Sequence, residues 1–400
     1  MQYCFDKIID RRSTNSLKWS VKKEELPMWV ADMDFETAPE IKEELLKRAE
    51  HGVFGYADIT GEWYEAYIGW WKRRHHFEIH KDWLIYSAGV VPTMSSVVRK
   101  LTTAAENVVI LTPVYNIFYN SILNNGRNVL ECELLYDGDE YHINFNELES
   151  HLSNPQTTLL IFCNPHNPVG KIWDKETLLK VGELCLQYHV TILSDEIHCD
   201  LTEPECEYIP FATVSEEISD IIITCIAPTK TFNIAGLQTS AVVVKNPFLR
   251  HKVWRGLNTD EVGEPNAFAV TAAVAAFTRG ELWLEELRKY IFENKKVVKD
   301  FLEQEIEEVK VVASQATYLM WLDCREVFLN KRKHSEKDAA ENSEKLAGFI
   351  REKTGLYLSD GVQYGKGGEQ FLRLNVACPR ETLLEGLQRL KRGVDSYKDS

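Results

Sequence analysis

Five short apolar runs constrain the fold of this chain more than any other feature. They cover residues 108–111, 158–162, 190–193, 221–224 and 241–244 and are rich in Val, Ile and Leu. None alternates with polar residues, so each strand must be covered on both faces, as in a parallel sheet. Helical patterns lie between some of them, residues 175–188 for example, and this alternation predicts an α/β fold with a mainly parallel sheet. Past about residue 280 the character changes. Residues 281–308 and 331–353 read as long charged helices, 361–368 as a Gly-rich turn and 371–376 as a strand. The expected organisation is a large α/β domain over residues 46–279 and a smaller α+β domain built from both ends, 1–45 and 280–400.

Composition narrows the function classes. Apolar residues make up 44% of the 400, which is incompatible with a disordered chain. Lys plus Arg number 46 against 61 Asp plus Glu, for a net charge of −15, which argues against nucleic acid or an anionic membrane as partner. No segment reaches the ~18 consecutive apolar residues of a membrane span. The first residues, Met1-Gln2-Tyr3-Cys4-Phe5-Asp6-Lys7, lack the apolar core of a secretory signal. Nine cysteines are scattered with no Cys-x-x-Cys pair, so neither a disulfide framework nor a zinc ribbon is expected. A cytoplasmic protein with reduced thiols follows.

Four of the apolar runs end in clusters of special residues. These are Thr112-Pro113-Val114-Tyr115, then Asn164-Pro165-His166-Asn167-Pro168-Val169-Gly170, then Ser194-Asp195-Glu196-Ile197-His198, then Ala227-Pro228-Thr229-Lys230-Thr231. Open α/β sheets bind ligands outside the carboxyl ends of their strands, so all four clusters converge on one site. The residue types share a chemistry. A lysine forms a Schiff base with an aldehyde. An aspartate holds a cationic ring nitrogen, a tyrosine stacks on a flat ring, and an asparagine donates to a phenolate oxygen. These are the parts of a pyridoxal phosphate site. The remaining part is an anion cradle, which Ser87-Ala88-Gly89-Val90-Val91-Pro92 supplies by opening a helical stretch at 93–101.

With these residues in order, the chain resembles the fold-type I pyridoxal-phosphate enzymes of the aminotransferase class I/II superfamily. Within them it is similar to the MalY/PatB-type cystathionine β-lyases, the cysteine C–S lyases. Further motifs carry the likeness: Leu26-Pro27-Met28-Trp29-Val30-Ala31-Asp32-Met33-Asp34-Phe35, His51-Gly52-Val53-Phe54-Gly55-Tyr56, Lys230-Thr231-Phe232-Asn233-Ile234-Ala235-Gly236-Leu237 and Phe371-Leu372-Arg373-Leu374-Asn375. The resemblance implies a mainly parallel seven-stranded sheet in the large domain, pyridoxal 5′-phosphate as cofactor and a homodimer. Lys230 resembles the lysine that holds the cofactor aldehyde, and Asp195 the partner of the pyridine nitrogen. Asn167 resembles the donor to the phenolic oxygen and Tyr115 the ring stacked on the cofactor. Val90 and Val91 match the positions whose amides meet the phosphate. Tyr56 matches the tyrosine that reaches the neighbouring subunit's phosphate, and Arg373 the arginine that grips the substrate α-carboxylate.

Departures from the wider superfamily are informative. His198 stands where aminotransferases commonly carry a tyrosine facing the phenolic oxygen, which points to the lyase branch. Ala227 and Gln238 replace a serine and an arginine that often bind the phosphate, leaving that job to Thr229, Tyr56 and the Val90 and Val91 amides. His75, His76 and His80 have a metal-like look but no nearby Cys or acidic triad, and His198-Cys199-Asp200 looks metal-like too but the cofactor reading explains His198 better, so no metal is expected. The implied activity is α,β-elimination on L-cystathionine and related S-substituted L-cysteines, giving a thiol, pyruvate and ammonia. Methionine biosynthesis, sulfide release and conjugate degradation are all open as roles. An aminotransferase on the same scaffold and a regulatory protein that binds a transcription factor are the alternatives.

Overall fold

Every one of the five apolar runs becomes a strand of a single seven-stranded sheet. The computed structural model describes residues 3–334 and 342–400. The strands are β1 (Leu84–Ser87), β2 (Asn107–Thr112), β3 (Asn128–Glu133), β4 (Thr157–Cys163), β5 (Thr191–Asp195), β6 (Ile222–Ile226) and β7 (Ser240–Val243). Their order across the sheet is β1-β7-β6-β5-β4-β2-β3. All neighbours are parallel except β7, which is antiparallel to both β1 and β6. That reversal matters for the site. A parallel neighbour needs a crossover helix, whereas an antiparallel one needs only a loop. The link from β6 to β7, residues 227–239, is therefore a loop held at the carboxyl edge of the sheet.

Strand residues alternate between two cores, as the two-residue period requires. In β4, Leu160 and Phe162 face one core, and Leu159 and Ile161 the other. The second core is closed by helix Val90–Leu101, through Val90, Met94, Val97 and Val98. The first holds helix Gly61–His75, which buries Trp63, Tyr67, Trp70 and Trp71 at the i, i+4, i+7, i+8 spacing of one helical face. Two strands escaped the sequence reading for local reasons. The first, β1, has only four residues, and β3 is an edge strand with exposed polar ends.

A second sheet lies in the C-terminal part. Strands β8 (Lys310–Val311), β9 (Leu319–Asp323), β10 (Ser359–Asp360) and β11 (Phe371–Asn375) form it in the antiparallel order β8-β9-β11-β10. Helices Glu281–Glu305, Ser343–Thr354 and Arg380–Lys398 accompany it. The single helix expected over 331–353 is two helices, Arg325–His334 and Ser343–Thr354, with 335–341 outside the described residues. The expected division at residues 45 and 46 falls inside helix Pro39–His51. That helix packs on Ala269–Arg279, and Arg279 reaches Glu44 at 3.0 Å and the Glu40 carbonyl at 3.4 Å.

The N-terminal motif acquires a physical meaning here. Residues 29–35 run as a backbone strap between the two sheets. Asn233, on the β6–β7 loop, accepts from the Met33 amide at 3.0 Å and donates to the Met33 and Phe35 carbonyls at 3.0 and 2.8 Å. Asn375, at the end of β11, donates to the Val30 and Asp32 carbonyls at 2.6 Å each. Asp34 anchors the strap in charge. Its carboxylate receives Lys18 at 2.7 Å, Arg11 at 2.8 Å and the Trp19 indole N–H at 2.7 Å.

These partners hold the Asp34 carboxyl below its usual range against the opposing pull of burial. Lys18 is 1% exposed, so removing the carboxylate leaves a buried ammonium with only the more distant Asp32 as counter-charge, whose carboxylate is 3.9 Å away. Asp34→Asn should therefore destabilise the fold by about 3–5 kcal/mol at neutral pH in urea unfolding. A depressed carboxyl gives stability that is present above its unfolded value of about 3.9 and lost as pH falls. The gap between wild type and variant should narrow below about pH 4.

Candidate active site

The carboxyl ends of β2, β4, β5 and β6 each deliver one of the expected clusters to the same edge of the sheet. Loops there are locked to one another by side chains. His166 donates Nε2–H to the Pro113 carbonyl at 2.8 Å, tying the β4 loop to the β2 loop. Burial keeps that imidazole neutral, with its pKa lowered to about 4. Gly170 closes the same loop at φ +74°, and a Cβ there would stand 2.1 Å from Ser314 Oγ. Its carbonyl accepts the Gln315 and Ala316 amides at 2.9 Å each, bringing the approach to β9 against the site.

Lys230 sits on the β6–β7 loop, partly exposed, and donates Nζ–H to the Ala31 carbonyl of the strap at 2.6 Å. Tyr318 donates to that same carbonyl at 3.0 Å, so the amine and the phenol converge on one oxygen. Burial lowers the Lys230 pKa to about 8; Arg373 pushes the same way, and Asp32 and Asp195 oppose it. Asp195 ends β5. Its buried carboxylate accepts the Ile197 amide at 3.2 Å, and burial raises its pKa to about 7 against the pull of that bond and of Lys230. Both groups are thus brought close to neutrality from opposite sides.

Arg373, in the middle of β11, enters from the smaller sheet. It donates to the Trp29 carbonyl at 2.8 Å and to Asn167 Oδ1 at 3.3 Å, and lies over the Tyr364 ring at 5.0 Å. Its Nε–H is buried with no hydrogen-bond partner. His198 likewise leaves Nδ1 buried and unpartnered, with the edge of its ring toward Tyr318 at 6.0 Å. Burial, helped by the charges of Lys230, Arg373 and Lys295, lowers the His198 pKa to about 3, so it is a neutral imidazole. Tyr115 lies within the fields of Arg373, Asp195 and Tyr364. Burial raises its pKa to about 12, so it stays a phenol.

Lys230, Asp195, Asn167, His198, Tyr115 and Arg373 are therefore gathered at one place. Val90 and Val91 open helix Val90–Leu101 just past the end of β1, and no side chain caps that terminus. Gly89 before them is extended, and a Cβ there would meet Pro92 Cδ at 3.2 Å. Tyr56 is not in this cluster. It is fully exposed on a segment where Val53 and Phe54 are exposed too. Ala227 is buried, Thr229 is nearly so, and Gln238 takes a left-handed turn at φ 51°.

Pyridoxal phosphate fits this arrangement on the donors present. A buried guanidinium N–H and a buried imidazole nitrogen both lack partners, a buried carboxylate accepts one hydrogen bond, and an uncapped helix start suits a phosphate. A lysine whose pKa is lowered to about 8 is available for the aldehyde. Sequence reasoning missed Tyr318, Tyr364 and the Ala31 carbonyl. The strap motif was visible, but a carbonyl acts through its backbone and leaves no residue-type signal.

Comparison with known proteins places this arrangement. The family model for aminotransferase class I and II matches residues 24–390. The chain belongs to that family. Cystathionine beta-lyase PatB of Bacillus subtilis is 42% identical over 98% of this chain and 99% of its own length. Protein MalY of Escherichia coli is 32% identical over 98% and 99% respectively. Among solved structures, the pyridoxal-phosphate-bound C–S lyase of Staphylococcus hominis superposes with a TM-score of 0.90 at 32% identity, covering 98% of this chain and 99% of that one. Within the family the chain groups with PatB and MalY.

The pKa of about 8 for Lys230 can be read directly. In cofactor-free protein, acetylation of Lys230 should rise as pH passes 8, well below the ordinary lysine range of about 10.4. Peptide mass spectrometry against pH measures this; a midpoint near 10 contradicts it.

Proposed function

We propose that this chain is a pyridoxal-phosphate-dependent carbon–sulfur β-lyase. Its substrates are L-cystathionine and related S-substituted L-cysteines, and its products a thiol, pyruvate and ammonia. The observation that carries this is Lys230, whose Nζ meets Tyr318 on the Ala31 carbonyl within reach of the charges of Arg373, Asp195 and Asp32. The names of PatB and of the Staphylococcus lyase give the same chemistry for relatives.

Bound pyridoxal phosphate supplies an aldehyde for amino groups and an electron sink for the charge left at the substrate Cα. The residues do the rest. Lys230 would hold the aldehyde at Nζ. Asp195 would face the ring nitrogen, and a cation there would keep its carboxylate ionised despite burial. Asn167 and His198 would serve the phenolic oxygen, and Tyr115 would cover the ring. The Val90 and Val91 amides would hold the phosphate, with Thr229 as a further donor. Arg373 takes the α-carboxylate, and its free Nε–H is a donor for that purpose.

Freed Lys230 accepts the Cα proton at Nζ. As the Cβ–S bond breaks, the same nitrogen returns a proton to sulfur. Burial lowers the pKa of this amine, which makes its ammonium a better proton donor to sulfur than an ordinary lysine. Tyr115, at about 12, is a weaker acid, and burial raises Tyr318 further still. The three-carbon remainder takes up water and leaves as pyruvate and ammonia. With cystathionine the thiol is homocysteine, which would place the reaction before methionine synthesis.

The quaternary reading is a homodimer. Val53, Phe54 and Tyr56 are exposed on one segment, which supports Tyr56 reaching the phosphate of a second subunit. Residues 39–279 make the cofactor-binding domain, and both chain ends make the smaller one. No helix among the described residues is long and apolar enough to cross a membrane. All nine cysteines are free, which supports a reducing, cytoplasmic location.

Purified protein loaded with pyridoxal phosphate should form pyruvate from cystathionine with no keto acid present. Pyruvate that appears only when a keto acid is supplied would mean an aminotransferase. Lys230→Ala should remove both turnover and the near-violet absorbance of the lysine-bound cofactor. Arg373→Ala breaks a buried charged pairing and should weaken substrate binding by about 2–5 kcal/mol, read as a rise in KM. An unchanged KM for cystathionine contradicts the role of Arg373.

A further inference from the structure

Two metal-like histidine groups stand out in the sequence, and the fold rearranges them. His76 and His80 are exposed. His75 instead meets Cys199 and Asp200, with the three donor atoms within 4.8 Å of one another. The donor set does not suit a cation. One oxygen of Asp200 already accepts the Trp70 indole N–H at 3.0 Å and His75 Nε2 at 2.9 Å, and the other accepts Thr231 Oγ1–H at 3.0 Å. The Arg74 guanidinium stands 3.6 Å away. Burial pushes the Cys199 thiol far above the thiolate range.

The cluster has another use, because Thr231 is the residue after Lys230. The loop carrying them has two short turns of its own, from the Phe232 amide to the Pro228 carbonyl and from the Ile234 amide to the Thr229 carbonyl. Asn233 and the Phe232 carbonyl tie one side of it to the N-terminal segment. Thr231, wholly buried, ties the other side to Asp200. Asp200 lies five residues past Asp195 on a tight turn, closed by the Cys199 amide on the Glu196 carbonyl and the Leu201 amide on the His198 carbonyl. One rigid turn therefore carries Asp195 and His198 toward the cofactor side and Asp200 toward the lysine loop.

We infer that Asp200 is a positioning residue for Lys230, acting through Thr231 Oγ1. The hydrogen bond sets how far the amine stands from the groups on the Asp195 turn. Its acceptor is charged, which makes it stronger than a neutral one. His75, Trp70 and Arg74 keep that buried charge in place. A 1 Å displacement of a reacting group can cost about 100-fold in rate, so losing the tether should affect turnover more than substrate affinity. The inference rests on Lys230 holding the cofactor.

The test compares Thr231→Val, which removes the hydroxyl at nearly constant volume, with Thr231→Ser, which keeps it. Both are loaded with pyridoxal phosphate and assayed on cystathionine, and the circular dichroism of the near-violet band is recorded. Thr231→Val should lower kcat at least tenfold with KM within threefold and reduce the dichroism by more than half. Thr231→Ser should stay within twofold of wild type on all three. A Thr231→Val protein that matches wild type overturns the inference, as does a Thr231→Ser protein equally impaired. If Thr231→Val does not accumulate as folded protein, Thr231→Ala is judged against Thr231→Ser by the same criteria. A wild-type protein with no near-violet band, or a Lys230→Ala protein that keeps it, sinks the cofactor assignment itself. A normal wild-type band with an unaffected Thr231→Val sinks the tether alone.

Discussion

Side-chain amides from two distant parts of the chain grip one stretch of backbone, residues 29–35, and the site is arranged around that grip. Asn233 pairs with Met33 through both its donor and its acceptor, as a neighbouring strand would. Asn375 holds two carbonyls two residues apart, those of Val30 and Asp32. Between them the Ala31 carbonyl is left pointing at Lys230 and Tyr318, and the Trp29 carbonyl at Arg373. Each such bond contributes only about 1 kcal/mol net, but a buried carbonyl without its partner costs about 1–3 kcal/mol. The strap has few places where it can sit with all these groups satisfied.

Charge is handled with similar economy. The chain carries −15 overall, yet two cations, Lys230 and Arg373, are gathered where anionic groups must bind. Burial drives Asp195 up toward about 7 and Lys230 down toward about 8, so the charged form of each is disfavoured in the closed interior. An arriving carboxylate or ring cation then finds partners whose charge its own presence restores. Histidines take the neutral part. His166 and His198 are held below protonation by burial and serve as hydrogen-bonding groups rather than as cations.

Much of this was legible in sequence because the sheet is parallel. Apolar runs covered on both faces stand out, and all five overlap strands of one sheet, none reaching more than a residue beyond its strand. The polar clusters at their ends had to meet, since parallel strands present their carboxyl ends to one edge. What escaped was of a different kind. The edge strand β3 is too polar to look like its neighbours. Tyr318 and Tyr364 reach the site from the smaller sheet, where no cluster of special residues marks them. The Asp200 cluster joins residues on a helix, a turn and a loop that are far apart in the chain, and pattern reading saw only its fragments. Helix Pro39–His51 packs on Ala269–Arg279, much further along the chain, which no local signal announces. Tyr56, given a role by resemblance, lies outside this chain's own cluster and points into solvent.

The strap also has a consequence for how the protein comes into being. All seven strands of the large sheet are present once residue 243 has been made, so that half can settle early. The strap cannot do so completely, because Asn375 lies 345 residues beyond the Val30 carbonyl it holds. Domains form from the N-terminus during translation, and contacts between distant parts of the chain close last. The Val30 and Asp32 carbonyls must therefore wait for their donor until residue 375 has been made, although Asn233, Lys18 and Arg11 can hold the rest of the strap earlier. Arg373 arrives at the same late moment and on the same strand. A truncated chain would build its sheet and its lysine loop and still lack the means to finish the site, so incomplete translation products are silent rather than half-active.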